Sequence, residues 1–387
     1  MKIYLDNAAT TKCSKRSAEI MQRILMEDYG NPSSLHKMGA DAEEEIKIAK
    51  RKIAKTLKVQ EKEIFFTSGG TESNNLAILG GVNANQRAGN HIITTSFEHA
   101  SVYQPMRYLE EQGYRVTYLP VDKNGILCLD ALDDALDDET IFVSLIFVNN
   151  EIGSITPMED AAKLIRKKAP KAVIHADAIQ SYGKMRFYPK KSEIDLLSVS
   201  GHKIHAPKGI GFLYIKDRTK IKPILFGGGQ QKGMRSGTEN VPAIAALGEA
   251  SAEIYENFEE KINHMYELRN YFIQEITKIN GVFVNGEKES KQGKSAPHIV
   301  SVSVEDVRSE VLLHSLEEKE IYISAGSACS SNKPSISRTL LAIGLRQELL
   351  DSTVRFSFCE TTTKEEIDYT LECLAEIIPF RRKFTRK

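Results

Sequence analysis

The sequence lacks a surplus of either charge: Lys+Arg and Asp+Glu are both 52 in 387 residues. A chain without a net field has no broad attraction for phosphate backbones or an anionic membrane, so direct nucleic-acid binding is not expected. Cysteines are few. Cys13, Cys128, Cys329, Cys359 and Cys373 include no CxxC pair, and an odd, scattered set argues against a disulfide framework and for a reducing cytoplasm. Long hydrophobic runs are missing too. The most apolar stretch, Ile141 to Val148, is short, β-rich and broken by Ser144, which suits a buried strand and not a membrane span. The opening MKIYLDNAATT puts Asp6 ahead of any apolar run, so it does not read as a signal peptide. No Pro/Gly/Ser-rich linker, repeat or low-complexity tract interrupts the chain, and its domains are expected to pack closely.

What is present is strand–helix alternation. Apolar, β-branched runs at Ile64–Thr67, His91–Thr95, Val116–Pro120, Ile141–Val148, Val173–Ala176, Leu196–Val199 and Gly211–Ile215 are separated by amphipathic stretches such as Ala100–Gln112 and Met158–Lys168. That pattern predicts an α/β fold with a mainly parallel seven-stranded sheet covered on both faces. A long helical pattern, Val241–Ile279, breaks near Phe258. Beyond it, strands at His298–Val304, Tyr322–Ser324 and Thr353–Ser357 and helices at Ser309–Lys319 and Lys364–Ile378 predict a smaller α+β domain. The expected division is 16–257 for the large domain, and 1–15 with 258–387 for the small one.

Ligands of open parallel sheets collect beyond the carboxyl ends of the strands, and four polar clusters fall there. In Thr67-Ser68-Gly69-Gly70-Thr71-Glu72, a strand runs through paired glycines into a helix start whose N–H groups suit a phosphate. The GK[ST] ending of a nucleotide P-loop is absent, and a plain βα turn is the alternative. In Ser200-Gly201-His202-Lys203, a lysine directly follows an apolar strand, where a desolvated amine is suited to bond a carbonyl carbon; a solvated loop lysine is the alternative. His202 and His205 have no third ligand nearby in the sequence, so no metal is expected. Asp177, closing the strand before Ala178-Ile179-Gln180, could keep a pyridinium nitrogen protonated or cap a helix. Gly183 leaves that helix little room. Cys329, in Gly326-Ser327-Ala328-Cys329-Ser330-Ser331, sits among small polar residues, a setting wrong for a structural thiol and right for a nucleophile.

These strings, with EHASV, VNNEIG, GGGQQKGMRSGT and STVRFSF, closely resemble the NifS/IscS-like cysteine desulfurases, of the fold-type I pyridoxal-phosphate superfamily (aminotransferase class V), over essentially the whole chain. The resemblance implies that pyridoxal 5′-phosphate is the cofactor and that Lys203 bonds its aldehyde. Gly70, Thr71, Ser200 and His202 would hold its phosphate, with Thr238 supplied by the second subunit of a homodimer. Asp177 would face the pyridine nitrogen and Gln180 the phenolic oxygen. His99 would stack on the ring and move protons. Arg355 and Asn150 would bind the carboxylate of L-cysteine, and Cys329 would take its sulfur for an iron–sulfur scaffold or tRNA-thiolation acceptor. Two departures stand out: Ile179 occupies a position where threonine is common in that family, and the stretch from Cys329 to Pro334 is short. A selenocysteine lyase or kynureninase-like lyase of the same fold, or a scaffolding member of a sulfur-transfer complex, are the competing readings.

Overall fold

The computed structural model describes residues 2–288, 294–325 and 336–384. Its main sheet has seven strands in the order Ile64–Thr67, Gly211–Ile215, Leu196–Ser200, Val173–Asp177, Thr140–Ile146, His91–Thr95, Arg115–Leu119. All neighbours are parallel except Gly211–Ile215, which runs antiparallel to both of its partners. Every residue of the central strand Thr140–Ile146 is buried, which explains its near-continuous apolar sequence. Ser144 is tolerated there because a hydrogen-bonded row crosses three strands: its hydroxyl meets His175 Nδ1 at 2.8 Å, and His175 Nε2 meets Ser198 Oγ at 2.9 Å. Burial pushes His175 down to about 3, so the row stays uncharged.

Two helices outside the periodic region read from sequence, Lys15–Met26 and Lys37–Leu57, pack on Val241–Ile254. The long pattern from Val241 does break, into Val241–Ile254 and Phe258–Ile276, with Asn257 in the left-handed region at φ 50°.

A second sheet of four antiparallel strands follows the order Ser324–Ala325, Thr353–Ser357, Ile299–Val304, Val282–Asn285. It has its own core, in which Ile3 and Leu5 join Phe272, Val302, Val354, Phe356 and Leu374. The expected strand Tyr322–Ser324 is two strands. Ile321–Tyr322 pairs in parallel with Ile3–Tyr4, while Ser324 lies opposite Arg355 in the other sheet. The terminal helix runs past the expected end at Ile378, through Pro379, to Arg382. Its last basic residues dock on the fold: Arg381 Nε donates to Ser315 Oγ, and Arg382 donates to the carbonyls of Asn280, Gly281 and Glu305. Among the described residues, no helix is long and apolar enough to cross a membrane.

Candidate functional site

The carboxyl ends of the central strands face a cavity of about 370 Å³ lined by Lys203, Asp177, His99, Gln180, Asn150, Arg355, Gly70, Thr71, Ser200 and His202. Residues as distant in sequence as Gly70 and Arg355 therefore share one space, most of them carried by the ends of neighbouring strands and Arg355 by the second sheet.

Lys203 is delivered by the single turn Gly201–Lys203 after the strand Leu196–Ser200. Its Nζ donates to the carbonyls of Ala8, at 2.6 Å, and Ala9, at 2.7 Å. Gln180 steadies the same segment: its Nε2 donates to Ala8 O at 2.9 Å, while its Oε1 accepts from His298 Nε2 at 3.1 Å.

Asp177 is buried at the end of its strand. It opens no helix. One oxygen accepts from the Ile179 N–H at 3.0 Å and the other from Asn74 Nδ2 at 2.9 Å. Both donors are neutral, and burial raises the carboxyl above its ordinary value, with His99 and Lys203 opposing. Asn74 Nδ2 also donates to Ser101 Oγ at 2.8 Å, leaving the serine hydrogen for His99 Nδ1, 2.8 Å away. The Ser101 N–H reaches the same nitrogen at 3.1 Å. His99 is therefore the N-cap of helix Ala100–Glu111 with Nδ1 accepting, and its proton sits on Nε2. Burial lowers its proton affinity, in keeping with that neutral form.

Gly69, at φ 146°, turns the chain into the helix that starts at Gly70. A Cβ at Gly70 would come within 2.3 Å of Ile179 Cδ1, so glycine lets the backbone amides approach the cavity. Gly70, Thr71, Ser200 and His202 also line an adjoining hollow of about 500 Å³. Burial, then the charges of Lys203 and Lys208, push His202 down to about 4, so its ring enters as a neutral hydrogen-bonding group.

Arg355 projects from the strand Thr353–Ser357 of the second sheet. Its Nη1 donates to Asn150 O at 2.7 Å and its Nη2 to Asp6 Oδ1 at 2.9 Å. Its buried Nε has no hydrogen-bond partner among the described residues. Asn150 contributes its carbonyl to this grip. Thr238 is not at the cavity: it is exposed and lines a cleft of about 210 Å³ with Ser68, Gly209 and Arg235. Cys329 lies outside the described residues.

Sequence reading missed several contributors: the carbonyls of Ala8 and Ala9, the Asn74–Ser101 relay, and Asp6, which holds Arg355. Glu98, beside His99, was also missed. It is buried, its Oε1 accepts from Thr95 Oγ1 at 2.6 Å and from the Ile146 N–H at 2.8 Å, and burial pushes its carboxyl up to about 8.

A family model described as Aminotransferase class-V matches residues 3–370. "Cysteine desulfurase IscS" of Methanosarcina thermophila is 41% identical over 376 residues, 97% of this chain and 92% of that protein. The solved structure titled "NIFS-LIKE PROTEIN" superposes with a TM-score of 0.92 at 37% identity, covering 98% of this chain and all of that one. "SspA in complex with cysteine" superposes with a TM-score of 0.78 at 32% identity, over 94% of this chain and all of that one.

Proposed function

The chain belongs to the aminotransferase class-V family, and from that membership together with the cavity we infer that it is a pyridoxal-phosphate-dependent cysteine desulfurase: it takes sulfur from L-cysteine onto Cys329 and leaves L-alanine. The observation that carries this reading is Asp177, a buried carboxyl that accepts hydrogen bonds from two neutral donors, on the same cavity as the Lys203 amine and the glycine cradle. Such an acid suits a pyridinium N–H. The cradle of helix-start amides with Thr71 and Ser200 suits a phosphate dianion, and Lys203 suits the aldehyde. The residues present thus fit the cofactor, which when bound supplies an electron sink for bond breaking at the substrate amino acid.

The protein's own groups do the rest. Arg355, aimed by Asp6 and the Asn150 carbonyl, binds the substrate carboxylate through its planar fork. Gln180 and the Ala8–Ala9 carbonyls fix where the Lys203 amine rests before it is used. Lys203 and His99 move protons, His99 through the Nε2 that its Ser101 contacts leave free. The Cys329 thiolate attacks the substrate sulfur: the new S–S bond gives a Cys329 persulfide, the carbon–sulfur bond breaks, and the carbon takes a proton to complete L-alanine.

In this reading the chain divides into 16–257 and the combined 1–15 and 258–387. It works in the cytoplasm as a homodimer, with Thr238 of one copy completing the phosphate site of the other, and passes its sulfur to an iron–sulfur scaffold or a tRNA-thiolation enzyme. Cys329→Ala tests the assignment. It should keep the cofactor's visible absorbance and its spectral response to L-cysteine but release no sulfide; undiminished sulfide release would remove Cys329 from the mechanism.

A further inference from the structure

His205 follows Lys203 by two residues yet lines a different cavity, of about 600 Å³, shared with Cys13, Cys359 and Glu360. One ring nitrogen of His205, Cys359 Sγ and a carboxylate oxygen of Glu360 all lie within 4.8 Å of one another. The third ligand that the local sequence did not offer comes from the far end of the chain, where the strand Thr353–Ser357 runs on through Phe358.

The hydrogen-bond pattern around His205 fixes its orientation. Its Nδ1 is 2.9 Å from the carbonyl of Lys12, which can only accept, so Nδ1 carries a hydrogen. Its Nε2 then faces Glu360, 3.2 Å from each carboxylate oxygen. A bare lone pair against a carboxylate is repulsive, so a cation belongs between them: a proton on Nε2, or a metal ion. A histidine held through one nitrogen by a backbone carbonyl, with the other aimed at anionic ligands, is the usual setting of a metal-bound imidazole. Cys359 Sγ adds a soft donor, with the hydroxyls of Thr361 at 3.2 Å and Thr362 at 3.7 Å placed to steady a thiolate.

We propose that His205 Nε2, Cys359 Sγ and Glu360 bind a thiophilic divalent ion of the zinc class, with the fourth position open to water or Cys13 from the cavity. The 3.2 Å between nitrogen and oxygen is close to the spacing of two ligands at about 2.0–2.1 Å on a tetrahedral ion, and Cys359 has to close in by about 1 Å. Binding releases the thiol proton to solvent. The buried Lys184 Nζ lies 3.8 Å from Glu360 and works against any added dication, so retention depends on the imidazole and the thiolate, which favour a softer ion.

The test uses the cofactor-loaded Cys329→Ala chain, which removes the other thiol expected to bind metal, in equilibrium dialysis against Zn²⁺ with elemental analysis. The proposal expects one zinc per chain, and no retention of Mg²⁺ or Ca²⁺. Adding Cys359→Ser or His205→Gln should weaken zinc binding about 100-fold while the cofactor's visible absorbance is kept, which shows the fold intact. Failure of the Cys329→Ala chain to retain zinc would overturn the proposal and leave a proton as the only bridge. Unchanged retention in both added variants would reduce the signal to an adventitious ion only. Neither result bears on the desulfurase reading, because no turnover is measured.

Discussion

Asp177 and Asp195 flank the same pair of strands at opposite ends of the sheet, and they are treated in opposite ways. Asp195 accepts from the Ile174 N–H at 2.9 Å and is paired with two cations of its own chain, Arg166 and Lys216. Asp177 receives amide hydrogens from Asn74 and Ile179, with no salt bridge to a cation among the described residues. A buried acid that carries its own counter-charges is part of the scaffold, whereas one left with neutral donors is a place where charge arrives with a ligand. The same sheet thus spends its polar groups on stability at one edge and on chemistry at the other.

Exchanging each acid for its amide separates the two. Asp177→Asn should lower kcat on the order of 10²–10³-fold with the melting temperature nearly unchanged, because a preorganised electrostatic partner is lost while the side chain keeps its size. Asp195→Asn should do the reverse, costing about 1–2 kcal/mol in denaturant titration, since it weakens the charged hydrogen bonds to Arg166 and the Ile174 N–H, while activity per folded molecule holds. Equal effects of the two changes on kcat would erase the distinction.

Smaller effects sharpen it. Arg355→Lys keeps the charge but not the fork, and KM for L-cysteine should rise about tenfold or more with a lesser change in kcat, read from initial rates. Gly70→Ala drives a Cβ into Ile179, and cofactor affinity should fall about tenfold in a reconstitution titration. Glu98→Gln reports on burial at the chemical edge. Glu98 is raised from 4.5 to about 8 in the folded chain, so the native state holds its proton more tightly than the unfolded state does. Its contribution is fully present below about 4.5 and is lost as pH rises through about 8. Melting curves across that window should show the wild type losing ground to Glu98→Gln as pH increases; a constant gap would mean that Glu98 is ionised throughout.

Much of this was legible in the sequence, for reasons that differ by element. The strands Ile64–Thr67, His91–Thr95 and Gly211–Ile215 were readable to the residue, because a doubly covered sheet demands apolar β-branched runs that stop where the chain leaves the core. Lys203 and Asp177 stood out as candidates because charge directly next to such a run is costly unless used, whereas Arg355 was singled out only through the family resemblance. The strand expected at Tyr322–Ser324 was misread, since two-residue strands in different sheets leave no period to detect. The helices Lys15–Met26 and Lys37–Leu57 were passed over because the strand–helix alternation begins only after them. Partnerships across the chain were beyond reach: nothing local says that Asp6 aims Arg355, that Ala8 and Ala9 hold the Lys203 amine, or that Cys359 and Glu360 come to His205.

The central claim is that sulfur leaves L-cysteine for Cys329. Incubating the protein with pyridoxal phosphate and one equivalent of L-cysteine, then quenching for peptide mass spectrometry and amino-acid analysis, measures it directly. One added sulfur atom on the Cys329 peptide, matched by an equal amount of alanine, is the predicted result. Alanine with an unmodified Cys329, or sulfur gained at a different cysteine, would contradict the account.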